Sequence, residues 1–179
     1  MLRSADDRDL DAMRAWRNQP QNREASIQQH EISAEEHAAW WSRVQDDPSR
    51  RVLVFEHDGR PLGIVNFFDL GRKGDQRTGA WGFFLDHETT TAEGTTMLAW
   101  MRLMKEATAY AFEPEPDGLA LDLLTGEVLE GNEAVRSMNR RFRFIEGEPE
   151  HLESRGRTIT VIPISLRRED RRTPNRARS

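Results

Sequence analysis

The chain has 179 residues, of which 36% are hydrophobic and 32% charged, with a formal net charge of −5 and no cysteine. That length favours one domain with a substantial core, and the absent cysteines exclude disulfides, a thiol nucleophile and a thiolate metal site. The negative balance argues against nucleic acid as a partner. Apolar runs far below the roughly 18 residues of a bilayer span, and no signal-peptide core, predict no membrane partner and a cytoplasmic location.

Leu2 to Ser4 begin an edge strand. Asp6 or Asp7 is placed to cap a helix over residues 9–18, where Leu10, Met13 and Trp16 share a face. Pro20 is expected to close it, and residues 21–32, which lack a clean period, to wrap the surface. Ser33 with Glu36 three residues later matches a capping box. It opens a helix that carries His37, Trp40, Trp41 and Val44 along one side. A meander follows: a strand over 51–58, an Asp58-Gly59 hairpin signal, a return strand over 61–70, a turn region over 71–79 and a third strand over 80–86. Gly63, inside the return strand, reads as a bulge or a close approach of backbones.

Small polar residues from His87 to Gly94 then form a turn. Met97, Met101, Met104, Thr108 and Ala111 recur at helical spacing, with Leu98 and Phe112 beside them, until Pro114 and Pro116 stop the helix. A helix entered in this way leaves its first N–H groups unpaired, and its dipole adds about half a positive charge there. Such a turn can hold a phosphate without a basic side chain, although many α/β turns of this form bind nothing. Further on, Leu119, Leu121 and Leu123 alternate and lead into a strand ending at Leu129. Asn132 caps a helix with Met138 inward, and residues 157–166 alternate as a last strand. The order predicts a single-domain α/β (α+β) fold over residues 1–166, with a mixed, mostly antiparallel sheet flanked by helices. Residues 167–179, in which basic residues mix with acids and proline, are expected to be a disordered tail.

This order, with Glu127-Val128-Leu129, Asn132 and Phe144 to Gly147, resembles the GNAT superfamily of acyl-CoA-dependent N-acetyltransferases over nearly the whole chain. Trp16 to Asn18 and Glu35 to Trp41 are similar to the subgroup containing ribosomal-protein alanine acetyltransferases and the flagellar nucleotide-amino-sugar acetyltransferase. The resemblance implies a GNAT-like fold, acetyl-CoA as co-substrate, no metal, and a pyrophosphate cradle at the turn before the methionine-lined helix. In the family that turn usually reads Gln or Arg, two residues, Gly, one residue, Gly or Ala. Here Thr89 replaces the Gln or Arg, Ala92 replaces the middle Gly, Glu93 adds a negative charge, and only Gly94 matches. The implied coenzyme-binding residues are Phe83, Phe84, Leu85, Thr90, Thr91, Ala92, Glu93, Gly94, Thr95 and Asn132. An N–H between Phe83 and Leu85 would face the thioester carbonyl, and threonine hydroxyls would add phosphate donors. Asn132 contacts the coenzyme, caps its helix, or does both.

An amine must be neutral to attack a thioester, so a base or a water relay has to take its proton. Glu127 lies on the strand beside the coenzyme strand and suits that role; it reads equally as a surface residue. His87, with a reference pKa of about 6.5, is a second candidate base or else an exposed loop histidine. The position where the family often carries a thiol-protonating tyrosine falls on Asn139, which offers a hydrogen bond but no proton. Arg17, Asn18, Arg23, His37 and Trp40 supply donors and stacking surfaces for an amine bearing phosphate or carboxylate. Their competing roles are ending a helix and packing. His37 has no second ligand at metal spacing. The function implied is direct transfer from acetyl-CoA to the amine of a small molecule or nucleotide-linked amino sugar. A protein N-terminal acetyltransferase and a non-catalytic acyl-CoA-binding member are the alternatives, and a homodimer through the last strands is compatible with each.

Overall fold

Eight strands form one sheet in the computed structural model, which describes residues 1–154 and 156–171. They are β1 (Leu2–Ser4), β2 (Arg51–His57), β3 (Arg60–Lys73), β4 (Gln76–Leu85), β5 (Leu123–Leu129), β6 (Ile145–Glu146), β7 (Glu150–Ser154) and β8 (Arg157–Arg167). Their order is β1-β2-β3-β4-β5-β8-β6, with β7 also on β8. Every pairing is antiparallel except β4 with β5. The expected mixed, mostly antiparallel sheet is the one formed.

Helices cover both faces. On one, α1 (Leu10–Asn18), α2 (Pro20–Glu24) and α3 (Ala34–Val44) accompany the meander. Met13, Trp16, Trp41 and Val44 from α1 and α3 pack on Val52 and Ile64, with Phe84 alongside. On the other, α5 (Thr96–Phe112) and α6 (Glu133–Arg141) bury Ala99, Leu103, Met104, Ala107, Ala111 and Met138 against Phe55, Val65, Phe67, Trp81 and Val128. A short α4 (His87–Ala92) joins β4 to α5. The β2–β3 hairpin turns on Asp58 and Gly59, both at positive φ (51° and 74°), as the tight turn between twisted strands requires. At Gly63 a Cβ would come within 2.5 Å of the Phe84 carbonyl, so the close approach foreseen there admits only glycine.

Several expectations are corrected. Pro20 starts α2 instead of closing the region, because proline at the first helical position loses no hydrogen bond and presets φ. The turn expected over 71–79 shrinks to Gly74 and Asp75; β3 and β4 stay paired as far as Lys73 with Gln76. Leu119 and Leu121 precede β5 in a loop held to α5 by bonds to the Tyr110 and Ala111 carbonyls. β7 has no apolar alternation to announce it. Met97 and Leu98 are 58% and 47% exposed, and the buried row of α5 starts at Ala99. That helix is apolar nearly all round, so spacing alone could not choose its inner face. At the chain's end, Arg168 bonds the carbonyls of Leu121 and Ala120, so the start of the expected tail is docked. Residues 172–179 lie outside the described residues.

Candidate active site

β4 and β5 run parallel but pair only over Thr78–Ala80 with Leu123–Thr125. Beyond that, β4 follows β3 to Leu85 and β5 follows β8 to Leu129, and a wedge opens between them. Gly126 lies at its apex, where a Cβ would stand 3.2 Å from the Trp81 carbonyl. Asp86 N–H donates to the Leu62 carbonyl at 2.8 Å. In an antiparallel ladder alternate residues exchange bonds, so Gly82 and Phe84 spend theirs on β3. Trp81, Phe83 and Leu85 turn theirs into the wedge. Of the three residues expected to face a thioester, Phe83 and Leu85 therefore present a free N–H, and Phe84 does not.

The expected cradle is a small helix. The Asp86 carboxylate caps it, accepting from the Thr89 amide (3.1 Å) and hydroxyl (2.6 Å) and from Gln19 Nε2 (2.8 Å). Gln19 Oε1 in turn takes the His87 N–H at 2.7 Å. Burial disfavours the Asp86 charge, but bonds from Thr89 and Gln19, with one from Trp16, outweigh it and hold the carboxyl below its ordinary range. The amides of Thr90, Glu93, Gly94 and Thr95 are donated to carbonyls within this same segment. The Thr90 hydroxyl donates to the Asp86 carbonyl, and the Thr95 hydroxyl turns back to the Thr90 carbonyl. Thr90 to Thr95 therefore do not offer the amide set expected of them. The exposed amides lie one step later, at Thr96, Met97 and Leu98. Thr95 supplies no side-chain cap, and the first bond of α5 runs from Ala99 N–H to the Thr95 carbonyl. Gly94, at φ +66°, makes the reversal between the two helices with open space beside it. The charge of Glu93 is met by Arg60 from the hairpin, both guanidinium nitrogens lying within 2.9 Å. Arg102, in the second turn of α5, touches the His57 ring.

Stepping the parallel register past the wedge apex places Glu127 beside Gly82, on the sheet face that α1 and α3 cover. Its side chain is exposed, and among the described residues no ion pair or hydrogen bond engages it. His87 is half-buried; burial pushes its imidazole below the ordinary range, with the Asp86 charge opposing. Asn139 on α6 is 2% exposed, and its Oδ1 has no hydrogen-bond partner. The chain's one tyrosine, Tyr110, packs against Phe67 in the core and cannot replace it as an acid. Asn132 caps α6 through Val135 N–H at 3.2 Å.

Among the expected substrate residues, Asn18 is a clamp: its amide bonds both the N–H and the carbonyl of Ile32 (2.8 and 2.9 Å). His37 is buried and stacks on Trp40, which packs on the core; burial lowers its pKa. These three serve the fold. Arg17 and Arg23 remain, donating to the carbonyls of Gln28 and Gln29. Arg17 Nη1 is buried with no partner. Burial and then the Arg23 charge lower the Arg17 pKa, with Glu36 opposing. Sequence reasoning missed Gln19 and Asn22. The second is 5% exposed, and its Nδ2 donates to the carbonyls of Trp16 (2.8 Å) and Leu85 (2.7 Å). Together they latch α2 to the end of β4, and no local pattern marks them, since their partners on that side, Leu85, Asp86 and His87, are distant in sequence.

A parallel strand pair prised apart, with inward amides and an uncapped helix behind, defines a fold suited to acyl transfer from an extended thioester. The chain belongs to the acetyltransferase (GNAT) domain family, whose family model matches residues 5–150, and is an N-acetyltransferase. The same architecture occurs in a spermidine N-acetyltransferase from Vibrio cholerae solved with CoA and spermine (16% identity, TM-score 0.72, 95% of this chain and 96% of that one). An N-acetyltransferase from Staphylococcus aureus Mu50 is also similar (19% identity, TM-score 0.65, 94% and 98%). So is a protein provisionally assigned as a phosphinothricin N-acetyltransferase (20% identity, TM-score 0.70, 93% and 97%). Among curated proteins no match is found. Among the described residues no acidic or histidine cluster could hold a metal, and no helix is long and apolar enough to cross a membrane.

Proposed function

We propose that this N-acetyltransferase moves the acetyl group of acetyl-CoA directly to the amine of a small, negatively charged molecule, a class that includes nucleotide-linked amino sugars. The wedge carries the reading: unpaired Phe83 and Leu85 amides line it, and the bare start of α5 lies behind it. Acetyl-CoA would supply an acyl group activated as a thioester. The amides of Thr96, Met97 and Leu98 suit its pyrophosphate, while an N–H of Phe83 or Leu85 suits the carbonyl oxygen on which charge develops. Glu127 takes the proton of the incoming ammonium. Asn139 offers the sulfur side a hydrogen bond, and the proton that neutralises the leaving thiolate comes from solvent.

The buried, unpartnered Arg17 nitrogen beside Arg23 narrows the acceptor. A phosphate or carboxylate satisfies it, whereas a polyamine would bring like charge to two guanidinium groups. Coenzyme A release with phosphoethanolamine, amino-sugar phosphates, spermidine and an alanine-terminated peptide separates the classes. Turnover of the anionic amines is expected, with KM raised about 10- to 100-fold in Arg17→Ala, as for a lost charged hydrogen bond. Preference for spermidine or the peptide would overturn the acceptor assignment. The second reading, a member that binds without turnover, draws on the inward-spent amides of Thr90 to Thr95 and the missing tyrosine; acetyl-CoA affinity without any coenzyme release would favour it.

A further inference from the structure

Asn66 on β3 is the register partner of Gly82 on β4, and Glu127 on β5 flanks Gly82 from the other side of the wedge. Ile64 and Phe84, two residues along from Asn66 and Gly82, belong to the cluster under α1 and α3. The period of two therefore sets Asn66, Gly82 and Glu127 in one row on that face. The middle of the row is bare: a Cβ on Gly82 would meet nothing within 4 Å. At one end, the Oδ1 of Asn66 is buried and has no hydrogen-bond partner. A buried acceptor without a donor carries a desolvation cost that nothing in the protein offsets, and such atoms are uncommon in native folds. At the other end stands the unpaired carboxylate. With strands about 4.8 Å apart, the two end residues are separated by roughly 10 Å or more across a glycine floor. That is room for one nitrogen with an oxygen on each side.

Resting on the transferase reading above, we propose that Asn66 contacts the acceptor and sets its orientation: Oδ1 accepts one N–H of the amine over Gly82, while Glu127 faces another. Proton loss to Glu127 leaves a primary amine with two N–H bonds. One stays on Asn66 as the lone pair turns to the wedge; the N–C bond then forms as C–S breaks, and the other proton leaves to solvent. A secondary amine keeps one N–H and must give up one of these contacts.

The test compares phosphoethanolamine and alanine with their N-methyl counterparts in the wild type and in Asn66→Leu, reading kcat/KM, acetyl-CoA affinity and melting temperature. The wild type is expected to favour the primary amines by at least tenfold. In Asn66→Leu that preference collapses to within about threefold, KM rises, and coenzyme affinity stays the same. The melting temperature holds or rises, because the buried oxygen had no partner to lose. A lower melting temperature marks Asn66 as structural and overturns the proposal, as does an unchanged primary-to-secondary ratio or no turnover of any of the four probes. Absent acetyl-CoA affinity in the wild type overturns the transferase reading instead, and the melting temperature still judges Asn66.

Discussion

Asn22→Leu is the sharpest test of how the substrate-side helices are held. One nitrogen carries the load, donating to the carbonyls of Trp16 and Leu85 from a site 5% exposed. Leucine keeps the volume and deletes the donor: the Leu85 carbonyl is stranded, while that of Trp16 keeps the Gln19 N–H at 3.1 Å. A buried group left unsatisfied costs about 1–3 kcal/mol, and with one carbonyl stranded a loss in that range is expected. That is a large part of the ~5–15 kcal/mol typical of a folded domain. It corresponds to a fall of roughly 2–12 °C in melting temperature at this chain length. Urea unfolding followed by tryptophan fluorescence measures it: the midpoint should drop while the slope stays constant. The acceptor KM should rise below the transition, since α2 is then held to the end of β4 through Gln19 alone. A loss under about 0.5 kcal/mol would refute the latch, showing that the Leu85 carbonyl finds another donor.

Glu127→Gln should lower kcat by about 10²-fold or more, the usual scale of a lost general base, with the melting temperature unchanged because the side chain is exposed; full activity would remove it as the base. Arg60→Ala should weaken acetyl-CoA binding by freeing the Glu93 charge beside the α5 amides, and adding Glu93→Gln should restore it; no recovery would separate that ion pair from the coenzyme. Asp86 has a native pKa below its unfolded value, so its contribution is complete above the unfolded pKa and is lost as pH falls through the native one. Asp86→Asn should therefore flatten the fall of melting temperature below about pH 4, and an unaltered slope would show that Asp86 does not govern acid sensitivity.

Most of the architecture was legible because it is written locally. The cap at Ser33, the Asp58-Gly59 turn and the alternation of β8 each announce an element without help from elsewhere. What escaped depends on distant partners. A run of threonines reads as a loop until the Asp86 carboxylate folds it into α4, and this moved the free amides from Thr90–Thr95 to Thr96–Leu98. Asn18 looked like a ligand residue because a helix end and a binding group call for the same chemistry; only the position of Ile32 decides between them. Asn22 and Asn66 gave no signal, since one matters through Leu85 and the other through an empty place above Gly82. Glu127 was singled out by its place on the strand beside the coenzyme strand, and the register supplied its company.

The parting of β4 from β5 divides the sheet into two plates joined by three residue pairs, each plate complete along its outer seams. Anything slender enough to slot between them becomes a missing rung shared by both. Occupancy would then stiffen two plates at once, and amide exchange should slow on β5 as well as on β4, because Glu127 and Leu129 turn their N–H groups away from β8 toward the guest as Phe83 and Leu85 turn theirs away from β3.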